Sequence, residues 1–387
     1  MSRDLVMDTR AAYLILNLLP GIGPGKVKQL LACFASAEEI FSRPESALLR
    51  VPGIGARLAS VIRNWQKHCD LEAELRLAQA AGVYIVTQED AAYPALLKEI
   101  YDPPICLYVR GELEALQRCR QSLAIVGSRH TSNYGLQMAA SLAAAAACAG
   151  WTVVSGLARG IDTAAHRAVV QAGGCTVAVI GSGLCRLYPP ENQGLAEQIC
   201  AAGGAVVSEF PLQQPPDKRN FPMRNRIISG MSKGTLVVEA GLYSGSLITA
   251  GQAVAQNRSV FAVPGRADSP FSRGCHNLLR DGARLVETFL DVQEEFSMLP
   301  NLQIKAAEQA ADEAREQTVL LSSLEYDIWQ KIGEEKPGID DLLAQCPEPP
   351  SKILGSLLIM EIKQVLRQLP GKRVQRIPNK KVELQED

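Results

Sequence analysis

Residues 218–230, KRNFPMRNRIISG, concentrate positive charge in a chain whose formal net charge is −1. The polar and charged members at the start of this segment are Lys218, Arg219, Asn220, Arg224, Asn225 and Arg226. A guanidinium group can donate two hydrogen bonds to the oxygens of one phosphate, and an aromatic ring offers a platform on which a base can stack. Phe221 lies among these cations, which favours a nucleic acid over a free phosphate, since a free phosphate gains nothing from a ring.

The two inner arginines are predicted to lie where cations are unfavourable. We expect a helix to begin near residues 223 to 225, which puts Arg224 and Arg226 in its first turn. A cation there opposes the helix dipole, and a bound anion would offset that cost. The simpler interpretation is that Phe221 packs against the core while the basic residues form a solvated face.

Apolar runs separated by helical stretches predict the sheet that positions this segment. Unbroken apolar strands suit a sheet covered on both faces, and their alternation with helices favours an α/β fold with a doubly wound, mostly parallel sheet. Ligands of such sheets bind beyond the carboxyl ends of the strands. The main runs are 122–128, 151–156, 175–183, 205–210, 234–240 and 259–265, and two weaker ones at the front are 83–88 and 105–111.

The strand-end loops bring small and basic residues to that edge of the sheet. Glycine lets the backbone approach a ligand closely, and the free N–H groups at a helix start attract anions. These loops therefore predict a rim that holds phosphates, although Arg129 would also be explained as a solvated side chain. The candidates are Gly127, Ser128 and Arg129 after the first main run, Ser155 and Gly156 at the end of the second, and Ser244, Gly245 and Ser246 after the fifth.

The same loops lack the residues that cofactor and catalytic sites need. No G-x-G-x-x-G follows the first main run and no acid ends the second, which argues against NAD or FAD. The sequence has four His, ten Cys without a CxxC pair, and no carboxylate cluster. We therefore expect no metal, no disulfide framework and no cofactor. Glu239, which ends the fifth run, is either catalytic or orients its neighbours, and His166 is more simply explained as structural.

A short internal repeat marks the first segment, residues 1–75. LPGIGPGKVKQLL at 19–31 returns as VPGIGARLASVI at 51–62, which predicts two copies of one helical hairpin. Each copy is similar to the helix-hairpin-helix motif, which grips DNA backbones. The alternative is that both are only tight turns that pack against the next domain. The candidate contacts are Gly21, Gly23 and Lys26 in the first copy and Gly53, Gly55 and Arg57 in the second.

The end of the chain predicts a separate small domain. A polar, Ala/Glu-rich linker at 298–318 follows the α/β core at 83–292, and residues 319–380 show three helical stretches and a β-wing pattern, PGKRVQRI. This is the layout of a winged-helix-like domain, with a plain three-helix cap as the alternative. The early apolar run is too short to span a membrane, and the scattered cysteines are typical of a reducing cytosol.

The strand-end motifs, taken in order, resemble those of the DNA-processing protein A family (DprA, also called Smf). The resemblance rests on VGSRHTSNYG, SGLARGIDTAAH, IGSGLCRLYPPEN, SEFP, FPMRNRIISG, VVEAGLYSGSLITAGQA and FAVPG. It implies an extended Rossmann-like core, with a small helical domain (helix-hairpin-helix or SAM-like) in front and a winged-helix-like domain behind. By similarity, the DNA contacts are Arg129, Lys218, Phe221, Arg224 and Arg226.

The resemblance also implies a function. Members of this family bind single-stranded DNA in a positive pocket, form homodimers through the core, and load the RecA recombinase onto incoming strands during natural transformation. The resemblance further implies a cytoplasmic protein without enzymatic activity.

Two alternatives follow from the same residues. Related Rossmann-like folds include nucleoside-monophosphate hydrolases with a P-G-G-x-G-T-x-x-E loop, but the corresponding stretch here, VVEAGLYSGSLITA, lacks that loop and leaves Glu239 as the plausible acid. The winged-helix-like end has a basic tail, PGKRVQRIPNKK, and would bind duplex DNA independently.

Overall fold

The computed structural model describes residues 7–298, 319–332, 337–363, 365–369, 373–376 and 382–384. They divide into two compact units, one within Met1–Phe296 and one within Ser297–Asp387. Apart from its first residue, the linker predicted at 298–318 lies outside the described residues. None of the helices described in these ranges has both the length and the apolar character needed to cross a bilayer.

The chain begins with short helices that pack on the sheet. Asp8, Ser36 and Asp70 cap three of them by accepting hydrogen bonds from backbone N–H groups. Leu14 and Ile15 share a hydrophobic core with Val206 of the sheet, so the boundary predicted between residues 75 and 83 stays a prediction. The helices are α1 (Thr9–Leu18), α2 (Pro24–Cys33), α3 (Ala37–Ser42), α4 (Glu45–Leu48), α5 (Ala56–Arg63) and α6 (Leu71–Ala80).

A nine-stranded sheet forms the centre of the larger unit. Its strands are β1 (Tyr84–Thr87), β2 (Cys106–Gly111), β3 (Ser122–Val126), β4 (Thr152–Ser155), β5 (Thr176–Val179), β6 (Ala205–Ser208), β7 (Gly234–Val237), β8 (Ser259–Ala262) and β9 (Arg284–Leu285). The spatial order is β1-β2-β6-β5-β4-β3-β7-β8-β9. β1 and β2 pair antiparallel, and every pair from β6 to β9 is parallel. The predicted mostly parallel sheet is therefore confirmed.

The strand order creates a crevice beside β3. From β3 the chain winds in one direction through β4, β5 and β6, and it then crosses to β7 on the other side of β3. At such a switch point the connections leave β3 and β7 on opposite faces, so their carboxyl ends open into a gap.

Helices cover both faces of the sheet because its strands are apolar on both sides. On one face, Leu123 and Ile125 share a core with Ala139 of the following helix. On the other face, Ala124 and Val126 share a core with Ile227. The helices of this part are α7 (Ala95–Lys98), α8 (Glu114–Arg118), α9 (Asn133–Cys148), α10 (Ile161–Gln171), α11 (Gln193–Ala201), α12 (Asn220–Gly230), α13 (Gly245–Ala255), α14 (Arg273–Arg280) and α15 (Phe289–Met298).

The smaller unit has the predicted winged-helix arrangement in the residues that the structure describes. Helices are followed by an antiparallel hairpin that pairs residues 366–369 with residues 373–376. Residues 319–321 pair in parallel with residues 382–384. Ile328, Leu342, Leu357 and Val374 join the helices and the hairpin in one core, so the arrangement is more than a three-helix cap. The elements are β10 (Val319–Leu321), α16 (Ser323–Ile332), α17 (Ile339–Gln345), α18 (Pro350–Ile362), β11 (Leu366–Leu369), β12 (Arg373–Arg376) and β13 (Val382–Leu384).

Candidate nucleic-acid interface

A pocket of ≈ 920 Å³ opens at the carboxyl ends of β3 and β7. Its walls are the loop after β3, the first turns of α12 and α13, and the loop before α14. We call it the switch-point pocket. The predicted residues that line it are Gly127, Ser128, Arg129, Lys218, Phe221, Arg224, Asn225, Ser244, Gly245 and Ser246.

Positive charge dominates the switch-point pocket. Its cationic side chains belong to Arg129, Lys218, Arg224 and Arg273, and among the described lining residues Asp162 is the one carboxylate. Arg129, Lys218 and Arg273 are exposed, and the structure gives none of these three an ion-pair partner within the residues it describes. An anionic ligand therefore meets three exposed cations that no ion pair between described residues neutralises.

Aromatic rings form one wall of the pocket. The guanidinium carbon of Arg129 lies 5.0 Å from the centroid of the Phe221 ring, and the rings of Phe221 and Tyr188 lie 5.8 Å apart. The backbone of Gly181 supports this wall, because a Cβ at that position would lie 2.9 Å from the Phe221 ring. The wall offers a flat apolar surface and a cation side by side, which are the two features that a nucleotide requires.

Arg224 closes the floor of the pocket from below. Its Nη1 donates hydrogen bonds to the carbonyl oxygens of Gly156 (2.7 Å) and Val179. Burial lowers the pKa of this guanidinium to about 10, so it stays charged at neutral pH. Burial also raises the pKa of Asp162 against the opposing effect of Arg224. A Cβ on Gly156 would lie 2.3 Å from Arg224, so the glycine makes room for the guanidinium.

The predicted start of α12 is wrong. The helix begins at Asn220, so Arg224 and Arg226 lie in its second turn. Pro222 falls inside the first turn, where a missing N–H removes no helical hydrogen bond, and the proline therefore does not delay the helix. The dipole argument for a bound anion does not apply to these arginines. The anion argument depends instead on the unpaired cations around the pocket.

Arg226 lies behind the switch-point pocket and does not line it. Its Nη2 donates to Glu209 at 2.6 Å and its Nε donates to Asp102 at 3.0 Å. Burial disfavours the charge on Arg226, but the two carboxylates outweigh burial and raise its pKa. The role of Arg226 in the structure is to anchor α12, and its proposed DNA contact has no geometric support.

Four other predicted residues also lie outside the pocket. Ser155 is fully buried, and its hydroxyl donates to the carbonyl of Ile125 at 2.6 Å. Gly156 lines only a small recess beneath the aromatic wall. Arg219 is exposed and pairs with Asp217. Asn220 starts α12 without reaching the pocket.

The carboxylate of Glu239 shapes the loop after β3. It is buried and accepts hydrogen bonds from the N–H of Ser132 (2.9 Å), the hydroxyl of Ser132 (2.6 Å) and the hydroxyl of Thr131. Ser132 in turn caps α9. Of the two predicted roles, this geometry supports orientation of the neighbours, because the donors around Glu239 are already committed to it.

His166 is a buried part of the framework beneath the pocket. Its Nδ1 lies 2.7 Å from the hydroxyl of Thr176, and it is inaccessible to solvent. Burial lowers its pKa to about 3, with the charge of Arg224 acting in the same direction. The imidazole is therefore neutral at physiological pH, in agreement with a structural role.

The far wall contains exposed apolar residues that the sequence analysis did not select. The side chain of Tyr243 is fully exposed, and Leu242, Ile248 and Phe271 are exposed by 38–46% beside it. The sequence signal that could have identified them is the Leu-Tyr pair inside the glycine- and serine-rich run GLYSGS. A purely structural turn does not need two large apolar side chains at that place.

The two glycine hairpins of the helical segment have the same geometry. Gly21 and Gly53 have φ values of 80° and 79°, and Gly23 and Gly55 cap α2 and α5. Lys26 donates to the carbonyl of its own hairpin at Gly21, and Arg57 is exposed. The repeat is thus one unit used twice, and its contact with DNA stays a prediction.

Metal ligands do not cluster within the described residues: no group of three or more His, Cys, Asp or Glu side chains converges there. The ten cysteines are free thiols.

Two family models match the chain. The model of DNA recombination-mediator protein A matches residues 84–297, and the model of the DprA winged helix domain matches residues 305–372. The first covers the whole sheet and the switch-point pocket.

Named relatives and a solved structure agree with these models. Protein Smf of Escherichia coli is 37% identical over 85% of this chain and 87% of its own length. DNA processing protein DprA of Bacillus subtilis is 42% identical over 55% of this chain and 71% of its own length. The crystal structure of DprA from Streptococcus pneumoniae superposes with a TM-score of 0.65 at 33% identity, covering 75% of this chain and 99% of that one.

Proposed function

The chain belongs to the DNA recombination-mediator protein A family, and from this premise we propose that it binds single-stranded DNA in the switch-point pocket. The observation that carries the proposal is the aromatic wall, in which the Arg129 guanidinium lies 5.0 Å from the Phe221 ring in a recess rich in unpaired cations. A recessed ring accepts a base only when that base is free of its partner strand.

The arrangement also explains why the binding is expected to tolerate any sequence. Phosphate contacts position a strand without reading it, and every base has a face that can stack on Phe221 or Tyr188. The cations therefore supply the affinity, and the aromatic wall supplies the preference for unpaired bases.

A titration of labelled oligo-dT followed by fluorescence anisotropy tests this proposal, with a duplex of equal length as competitor. We expect the duplex to compete weakly. The logarithm of the affinity should fall with the logarithm of the salt concentration by about 0.7 per neutralised phosphate. Equal affinity for the duplex would contradict the proposal.

We propose further that the bound strand is handed to the RecA recombinase. The family resemblance supports this step, and the rate of RecA filament assembly on strands coated with single-strand-binding protein measures it. The protein should accelerate assembly, and Arg129→Ala should remove the acceleration. No acceleration by a protein that binds the strand would refute the RecA step alone.

We also propose a homodimer joined at the edge of the sheet next to β9. Leu285 on this edge strand is 46% exposed and Leu290 in the following helix is 63% exposed. Sedimentation velocity should show a dimer that Leu285→Lys dissociates. Leu49→Lys, at an equally exposed leucine in the helical segment, should leave the dimer intact, and equal behaviour of the two variants would contradict this interface.

The site is proposed to bind its ligand without cleaving it. Glu239, the acid that a nucleotide hydrolase would need here, is buried under Thr131 and Ser132. Incubation with nucleoside monophosphates should therefore release no free base, and measurable release would favour the hydrolase alternative.

A further inference from the structure

A second cavity lies directly across Arg129 from the switch-point pocket. It has a volume of ≈ 410 Å³ and runs between the first turns of α9 and α10. We call it the basic groove. Arg129 and His130 line both cavities, so the loop after β3 is a ridge between two parts of one continuous surface.

The charges around the basic groove have one sign. Its charged lining residues are Arg129 and Arg167, with no carboxylate among the described residues that line it. Arg167 is exposed, and no ion pair joins it to any residue in the described ranges. The chain as a whole is nearly neutral, so an uncompensated cluster of this kind marks a place where an anion is favoured.

The hydroxyl groups that line the basic groove already donate hydrogen bonds within the protein. Gly160 is the N-cap of α10, and Thr163 and Arg167 follow it on one face of that helix at helical spacing. Thr163 donates its hydroxyl proton to the carbonyl of Ala158 at 2.6 Å, and Thr131 donates its own to Glu239. The side chains left to bind a ligand are therefore the cations, with Leu136 as an apolar contact.

We propose that the basic groove is a second DNA subsite, in which Arg167 binds a phosphate of the strand after it has passed over Arg129. The proposal rests on the function proposed for the switch-point pocket, and it extends the path of a single strand beyond that pocket. A phosphodiester chain fits a groove lined by two arginines, because its charge repeats along its length while its sugars need only space.

The test compares Arg167→Gln with wild type on oligo-dT strands from about 4 to about 16 nucleotides long. Binding of the longest strand should weaken roughly two- to fivefold, as for loss of one exposed ion pair. The slope of log affinity against log salt concentration for that strand should become shallower by about 0.7. Binding of the shortest strand should not change. The matched control is Arg120→Gln, which removes an exposed arginine before the amino end of β3, at the opposite edge of the sheet.

Three results would overturn the proposal. Wild-type affinity and salt dependence of Arg167→Gln at every length would show that the strand does not enter the groove. An equal loss for short and long strands would assign Arg167 to the first pocket. Failure of wild-type protein to bind any strand would refute the proposed function itself, and this outcome is distinguishable because no variant is needed to see it.

Discussion

The two faces of α12 use the same residue type for different purposes. On the face toward the switch-point pocket, Phe221 and Arg224 line the cavity, and the exposed cations Arg129 and Lys218 lie around them without ion-pair partners in the part of the chain that is described. On the opposite face, Arg226 is enclosed by Glu209 and Asp102. The difference shows that ion-pair partners, more than residue type, separate the proposed binding surface from an anchor.

This difference has a functional consequence. Charge on the pocket face is left available for a ligand, while charge on the anchoring face is consumed in holding the helix at a fixed position against β6 and the loop before β2. Moving α12 away from Glu209 would leave buried charges without partners, and an uncompensated buried charge is strongly destabilising.

The largest expected effect falls on the anchor. Arg226→Met leaves Glu209 buried without its partner, and loss of one member of a buried pair typically costs about 3–5 kcal/mol. Denaturant unfolding measures this loss. Arg266→Met is the control, because Arg266 and Asp268 form an exposed pair whose attraction is screened by solvent and adds little to stability. Similar stability of the two variants would remove the distinction between the faces.

On the pocket face, Phe221→Ala should act on binding. Loss of a stacking ring costs about 1–3 kcal/mol per base, which is roughly a 5- to 150-fold weaker affinity for oligo-dT. Tyr84→Ala is the control, since Tyr84 is a 55% exposed ring on edge strand β1. Equal effects of the two variants on affinity would mean that the ring in the pocket has no special role.

Acid should act on the framework beneath the pocket through His166. The unfolded imidazole has a pKa of about 6.5, and burial lowers the folded value to about 3. The folded state therefore binds fewer protons, so stability is complete above about pH 6.5 and falls as the pH drops, by up to about 2 kcal/mol at pH 5. Unfolding of His166→Gln should show a smaller loss between pH 7 and pH 5. If the unfolding free energy fell equally with pH in both proteins, His166 would not be the group responsible.

The smallest expected effect concerns a single exposed cation at the pocket rim. Lys218→Gln should make the slope of log affinity for oligo-dT against log salt concentration shallower by about 0.7. The unfolding free energy should stay unchanged. Arg219→Gln serves as its neighbour control, because Arg219 already pairs with Asp217. A larger change in salt dependence for Arg219→Gln than for Lys218→Gln would mean that Arg219, and not Lys218, contacts the strand.

The sequence predicted the fold well because its signals are local and redundant. Each apolar run became a strand, and the loops after β3 and β7 met at the predicted edge. It could not separate Arg224 from Arg226, because two residues apart on one helix they differ only in what packs against them. Glu209 and Asp102 come from distant parts of the chain, and no local pattern announces that pairing.

The start of α12 and the far wall of the pocket show two other limits. The sequence predicts Pro222 before the helix, whereas it lies inside the first turn, where proline is tolerated. Tyr243 and Phe271 approach the same cavity from loops nearly thirty residues apart, so their proximity depends on the strand order. Tertiary contacts decided both points.

The central claim is that the pocket face of α12 and the ridge at Arg129 bind single-stranded DNA. An anisotropy titration of oligo-dT with the Arg129→Ala/Phe221→Ala double variant tests it most directly, with its unfolding curve measured in parallel. We predict a loss of affinity of roughly 30-fold or more with folding retained. Wild-type affinity in the folded double variant would contradict the claim.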